Sequence, residues 1–312
     1  MGKALDFGHY GPKGTFKVKI NNEEKYLFQI IMEKMIKAKE KYGVEIPCYI
    51  MTSPENNSET VHFLEDMNYF GYSKKCVKCF IQEEMPLLDE NGKLIIGEDG
   101  KIKLASEGNG GIFYSMRKKR ILDEMKEKNI EWVFIGAVDN LLVKYVDTLL
   151  LGLAIEQKTN IATRTVIKAN PHEKVGVICK QKNRIKVVEY TEISEEMLKA
   201  VDENGEMLFG ESHIMCNLFN IKAIEIASTN KLKYHVAHKK INYIENDTLV
   251  VPKKENCYKF EKFIFDSFGL FDNITILRGK REEDFAPIKN ADGPDSPETA
   301  VKLYEEYISK QV

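Results

Sequence analysis

The spacing of hydrophobic positions changes repeatedly along the chain and divides it into alternating helical and extended runs. Asn21-Asn22-Glu23-Glu24 offers a cap and first-turn acids for a helix with an apolar stripe at Leu27, Ile30, Ile31 and Met35; Gly43 is its stop. A short apolar strand, 48–51, runs into Thr52-Ser53-Pro54, residues 58–67 read as a second helix, and 77–82 alternate as a strand. Asn91-Gly92 and Asp99-Gly100 between alternating runs predict a hairpin excursion over 89–104. A third helix over 111–128 feeds an apolar strand at 132–138.

Beyond it the pattern is richer in strands, at 161–167, 175–179 and 185–190. A helix over 194–201 and an Asn-Gly turn at 204–205 follow, then a helix over 259–268, a strand over 274–277 and a terminal helix over 297–309. Strands separated by helices of this length imply a mostly parallel sheet with right-handed crossovers. No repeat, low-complexity tract or linker interrupts the pattern, so one α/β domain over 1–312 is the simplest account.

Charge excludes some partners. Lys and Arg number 46 against 48 Asp and Glu, and the two signs are interleaved, so no general attraction to nucleic acid is expected. No stretch approaches the roughly 18 apolar residues of a membrane span, and no signal-peptide pattern follows Met1, so a soluble, cytoplasmic protein is expected. Cys76 and Cys79 have the spacing of half a zinc site, but no second such pair exists. In an alternating strand they would point to opposite faces, and reduced thiols are expected.

In open α/β sheets ligands bind beyond the carboxyl ends of strands, so residues just after strands carry the most information. In Gly11-Pro12-Lys13-Gly14-Thr15-Phe16, glycines bracket a lysine and would let backbone and ammonium approach a phosphate; a Gly-Pro turn with an exposed lysine is the plain alternative. Ser106-Glu107-Gly108-Asn109-Gly110-Gly111 places glycines at a helix start, either to admit a flat base or sugar or as a flexible turn. Asp139, ending an apolar strand, is placed either to bind Mg²⁺ or to cap a turn.

Read in order, the segments form a larger pattern. They are Gly-Pro-Lys-Gly-Thr-Phe, Ile50-Met51-Thr52-Ser53, Asn68-Tyr69-Phe70-Gly71, Phe80-Ile81-Gln82, Gly108-Asn109-Gly110-Gly111 and Val138-Asp139-Asn140. There follow Asn170-Pro171-His172-Glu173-Lys174-Val175-Gly176, Val187-Val188-Glu189-Tyr190, Cys216-Asn217-Leu218-Phe219, Lys259-Phe260-Glu261-Lys262-Phe263 and Pro287-Ile288-Lys289-Asn290-Ala291-Asp292. From about residue 11 to 293 the chain resembles the UDP-sugar pyrophosphorylase family, and most of all its UDP-N-acetylglucosamine branch.

That resemblance implies a Rossmann-like nucleotidyltransferase core and Mg²⁺-dependent uridylyl transfer from UTP to a sugar 1-phosphate, giving a UDP-sugar. It implies phosphate contacts from Lys13, Lys262 and Lys289, and a metal or phosphate role for Asp139. Gln82, Gly108 and Asn109 match positions around the nucleotide, and Gly176, Glu189 and Asn217 match positions around the sugar. One departure stands out. The family opens with a strand ending in Leu-x-Gly-Gly-x-Gly-Thr-Arg-Leu-Gly, whereas residues 1–10 carry neither Gly-Gly-x-Gly nor arginine, so the first strand and triphosphate loop are expected to be missing. A UDP-sugar-binding protein without turnover is therefore the alternative. No Gly-x-Gly-x-x-Gly follows the first strand, which leaves a dinucleotide oxidoreductase a distant third.

Overall fold

The computed structural model describes residues 9, 11–245 and 248–311; most of the stretch from 1 to 10, where the missing strand and triphosphate loop were expected, lies outside them. The chain enters through a two-stranded hairpin, β1 (Lys17–Ile20) and β2 (Glu23–Tyr26). Asn21 and Asn22 are its turn rather than a helix cap. Both are left-handed, at φ 47° and 67°, the conformation a two-residue hairpin turn demands and asparagine tolerates. The helix α1 (Leu27–Tyr42) starts only after β2. It buries Leu27, Ile30, Ile31 and Met35 as its spacing predicts and ends at Gly43.

Next come β3 (Cys48–Thr52), α2 (Asn57–Asp66) and β4 (Val77–Ile81); β3 and β4 pair in parallel. Cys76 ends a short 3-10 turn before β4, outside the strand expected to hold it, and its thiol and that of Cys79 pack against the same apolar cluster as α1. All six cysteines are free. The excursion over 89–104 contains its two expected turns, bridged at Leu88–Leu94 and Ile96–Ile102.

The helix expected over 111–128 is two: α3 (Ile112–Lys118) and α4 (Ile121–Glu127). Arg120 breaks it in the left-handed region, at φ 59°. The break lets α3 bury Phe113 and Met116 and α4 bury Ile121 and Met125 in one core.

The main elements that follow are β5 (Trp132–Gly136), α5 (Thr148–Glu156), β6 (Ile161–Ile167), β7 (Val177–Gln181), β8 (Arg184–Val188), α6 (Glu195–Lys199), β9 (Glu211–Asn220), α7 (Ile221–Thr229), β10 (His235–Lys239), β11 (Cys257–Glu261), β12 (Thr275–Arg278), α8 (Arg281–Asp284) and α9 (Pro297–Ser309). The stretch expected as a helix over 259–268 is instead β11, paired antiparallel with β10, and a 3-10 turn over Ile264–Leu270. Antiparallel pairing with β10, from His235 opposite Glu261 to Lys239 opposite Cys257, holds the segment extended.

The central sheet has six strands in the order β8-β7-β9-β6-β12, with β5 also pairing with β9. Among the described residues it is mixed and largely antiparallel, not mostly parallel; only β6 and β12 run parallel in it. The ten-residue β9 causes this. It returns antiparallel along β6, and on its other edge it pairs first with β7 at Ser212 and then with β5 from Cys216 onward. Successive β9 side chains serve opposite faces: Phe219 joins the core under α3, α4 and α7, and Leu218 joins the one under α5. No helix among the described residues is long and apolar enough to cross a membrane.

Candidate active site

Lys13 lies in a 3-10 turn ahead of β1, and its Nζ donates to Asp139 Oδ2 at 2.6 Å. Asp139 follows β5 in a loop clamped from two sides. Ile288 N donates to the Asp139 carbonyl at 2.8 Å. Buried Asn140 accepts from the N–H groups of Ala286 (2.8 Å) and Leu142 (3.1 Å) and donates to Asp284 O at 2.9 Å. From α1, Lys34 donates to the carbonyls of Leu141 and Val143 at 2.5 and 3.0 Å, and burial pushes its pKa down to about 7. Asp139 and Lys289 therefore ride on one hydrogen-bonded unit. Lys289 Nζ stands 3.5 Å from Asp295 and over the Phe285 ring.

The glycine loop is shaped by protein rather than by empty space. Lys262 N donates to Glu107 O (2.7 Å), Gly110 N to Lys262 O (2.9 Å), and Ile264 N to Asn109 Oδ1 (2.8 Å), so the end of β11 is zipped onto residues 107–110. Gly108 has φ 84°, and a Cβ there would stand 2.4 Å from Lys262 O, so no other residue fits. Lys262 Nζ donates to buried Glu107 Oε2 at 2.7 Å and lies over the Tyr234 ring. Its charge is thus matched by Glu107 rather than gathered with Lys13 and Lys289. Gln82, beyond β4, is buried and donates to Ser106 Oγ at 2.8 Å, beside the same loop.

A third group gathers around His213. Gly176 O accepts from His213 N at 2.9 Å, and a Cβ on Gly176 would lie 3.2 Å from Glu189 Oε1. Burial raises the pKa of Glu189, against the opposing charges of His235 and Lys289. Asn217 is 1% exposed, and its Oδ1 accepts from Thr163 Oγ1 at 2.8 Å and meets His213 Nε2 at 2.9 Å.

Between β3 and β5 lies a cavity of about 770 Å³. Lys13, Asn109, Asp139, Met215 and Lys289 line it, and its walls are otherwise largely apolar, with Ile50 and Ile135 from the two strands. Among the described residues β3 pairs only with β4, and β5 only with β9. Of the sequence-expected site residues, Lys13, Asn109, Asp139 and Lys289 share this cavity, Gly176, Glu189 and Asn217 belong to the group around His213, and Lys262, Gln82 and Gly108 join neither. The spacing missed Glu107, Asn140, His213 and Met215. Glu107 and Asn140 adjoin expected site residues, which is the one signal they carry; His213 and Met215 depend on a strand irregularity that no periodicity reports.

A mixed α/β fold thus brings two lysines, an aspartate and an asparagine from a glycine-rich loop to one cavity, and ammonium groups so placed have the chemistry to meet phosphate oxygens. A family model described as UTP–glucose-1-phosphate uridylyltransferase matches residues 2–294, and the chain belongs to that family. It is 35% identical to UDP-N-acetylhexosamine pyrophosphorylase-like protein 1 of Xenopus tropicalis over 98% of this chain and 62% of that one. It is 31% identical to UDP-N-acetylglucosamine pyrophosphorylase of Saccharomyces cerevisiae over 97% and 66%. Its structure is similar to the crystal structure of the uridine diphosphate N-acetylglucosamine pyrophosphorylase from Trypanosoma brucei in complex with inhibitor. There the TM-score is 0.85 at 31% identity, covering 97% of this chain and 63% of that one. The chain thus spans about 62% of the length of the Xenopus relative.

Proposed function

We propose that this chain catalyses uridylyl transfer: a sugar 1-phosphate oxygen attacks the α-phosphorus of UTP, forming the UDP-sugar while the bond to the leaving pyrophosphate breaks. The observation that carries this reading is the convergence of Lys13, Asp139 and Lys289 on one cavity, with the Asp139 carbonyl bonded to the N–H of Ile288, the residue before Lys289. Phosphoryl chemistry of this kind asks a protein for positioning and charge neutralisation more than for covalent participation. Lys13 and Lys289 supply charge to phosphate oxygens, and Asn109 and Gln82 supply amide groups beside the glycine loop for the base. Gly176, Glu189 and Asn217 border the sugar, with Glu189 accepting from its hydroxyls. Lys262 acts through Glu107, holding the glycine loop.

Asp139 suits Mg²⁺, which commonly takes one or two carboxylates and completes its shell with water and substrate phosphates. When bound there, Mg²⁺ neutralises phosphate charge. The unpaired edges of β3 and β5 support a Rossmann-like sheet in which a further strand joins the two sheets along the apolar walls of the cavity, while Lys13, Asp139 and Lys289 are left for the phosphates. A sugar-nucleotide-binding protein without turnover has little use for three charged groups at the phosphates.

The test is pyrophosphate release with UTP and Mg²⁺, comparing N-acetylglucosamine 1-phosphate with glucose 1-phosphate. Release with either is the expected result. Folded protein that binds UDP-sugar but releases no pyrophosphate with either overturns the catalytic reading.

A further inference from the structure

β9 carries an irregularity at its middle. Its pairing with β6 is in one register through His213 and in another from Asn217. Between them Met215 sits at φ 52°, a left-handed conformation that costs a methionine energy; among the described residues it is the one non-glycine residue inside a strand to adopt it. The bulge falls where the other edge of β9 changes partner, after Ser212 on β7 and before Cys216 on β5. Residues four apart in a regular strand stand about 13 Å apart at ~3.3 Å per residue, beyond the reach of a histidine and an asparagine. Here His213 Nε2 and Asn217 Oδ1 are 2.9 Å apart. The bulge brings them together.

An amide oxygen only accepts, so His213 Nε2 carries the hydrogen in this pair. Thr163 Oγ1 donates to the same Oδ1. Both contacts fall on the oxygen of Asn217. Its Nδ2 is buried with no hydrogen-bond partner, a state a buried donor keeps only at a cost unless something else fills it. The His213 ring is held edge-on against Phe265 and Phe268, at centroid distances of 5.4 and 5.7 Å, and its backbone N–H is bonded to Gly176. Burial drives its pKa down to about 4, so at neutral pH it is a neutral donor.

We infer that His213 is a positioning residue for sugar recognition: through the bulge at Met215 it holds Asn217 by its oxygen and so presents the Asn217 NH₂ as a donor to an oxygen acceptor on the sugar. This rests on the reading of Asn217 as a sugar-side residue. It adds the acceptor chemistry of the ligand atom that Asn217 meets and a second residue on which that contact depends.

The test compares binding of UDP-N-acetylglucosamine with binding of UDP, by titration calorimetry, which needs no turnover. The ratio of the two affinities isolates the sugar. His213→Phe keeps a ring between Phe265 and Phe268 but loses the donor. It is expected to cut the ratio about tenfold, the size of one lost hydrogen bond, with UDP affinity unchanged. His213→Gln, which restores an N–H at similar reach, is expected to recover most of it. His213→Phe combined with Asn217→Ala is expected to bind no more weakly than Asn217→Ala alone. If Asn217→Ala cuts the ratio but His213→Phe leaves it intact, weakens UDP equally, or adds to the Asn217 loss, the positioning role is overturned while the sugar-side reading of Asn217 stands. If Asn217→Ala leaves the ratio unchanged, or the unaltered chain binds the UDP-sugar no more tightly than UDP, that reading falls, and the inference with it.

Discussion

Lys262 and Glu107 are joined twice, once through the backbone, N to O at 2.7 Å, and once through the side chains, Nζ to Oε2 at 2.7 Å. The double link ties the glycine-rich loop to the end of a strand 155 residues later. Burial works against the charge on Lys262, yet the hydrogen bonds from Glu107 and Tyr234 outweigh it and the pKa is raised.

The first prediction concerns that pair. Lys262→Met leaves the Glu107 carboxylate, 5% exposed as a side chain, without its cation. Removing one partner of a buried pair costs about 3 kcal/mol or more, whereas removing both costs far less. Urea unfolding is therefore expected to place Lys262→Met well below the combined Lys262→Met, Glu107→Gln variant. Equal losses in the two would mean that the pair is dispensable and that Lys262 acts elsewhere.

The glycine loop gives the second prediction. Gly108→Ala would drive a Cβ to 2.4 Å from Lys262 O at a φ of 84°, and a loss of about 3 kcal/mol is expected. Gly205 has a similar φ of 79° but open space around it, so Gly205→Ala carries the conformational cost alone, about 1 kcal/mol. Denaturation midpoints of the two variants separate contact from conformation; matching values would refute the close approach.

These residues also mark how far the sequence could be read. Local signals were legible: the α1 stripe, Gly43 as a stop, the Asn-Gly turns and the terminal helix from Pro297 all stand where the spacing places them. Errors came where local chemistry had two solutions. Asn21-Asn22 can cap a helix or turn a hairpin, and the pairing of β1 with β2 decides. Strand direction was misread because β9 inserts antiparallel between partners distant in the chain, which no window of sequence contains. For the candidate site, ordered motifs resembling a known family singled out Lys13, Asn109, Asp139 and Lys289, and these four line one cavity. His213 was not, because its role depends on the bulge at Met215.

The third prediction addresses Asp139. Its pairing with Lys13 is partly exposed, with side chains 18% and 26% accessible, so it contributes little stability. Asp139→Asn is expected to unfold within about 1 kcal/mol of the unaltered chain, while pyrophosphate release falls on the order of 100-fold or more and loses its response to Mg²⁺ titration. A normal Mg²⁺ titration would make Asp139 structural.

The last prediction follows from burial of His213. Its folded pKa is about 4 against an ordinary 6.5, so between those values the unfolded chain binds a proton that the folded chain refuses. Stability from this group is complete above pH 6.5 and drains away as pH falls toward 4, because the depressed pKa makes the folded state the poorer proton acceptor. The drop is about 3 kcal/mol over that window. Glu189 acts in the opposite sense: its pKa is raised by burial, so its contribution favours the folded state at low pH and is lost as pH rises. Net acid sensitivity of the unaltered chain therefore mixes the two, and only a comparison isolates His213. His213→Gln keeps a neutral donor but has no proton to take up, so its unfolding free energy is expected to fall less steeply between pH 6.5 and 4 than that of the unaltered chain. Parallel pH profiles would mean that the folded pKa of His213 is ordinary and that its burial carries no cost in acid.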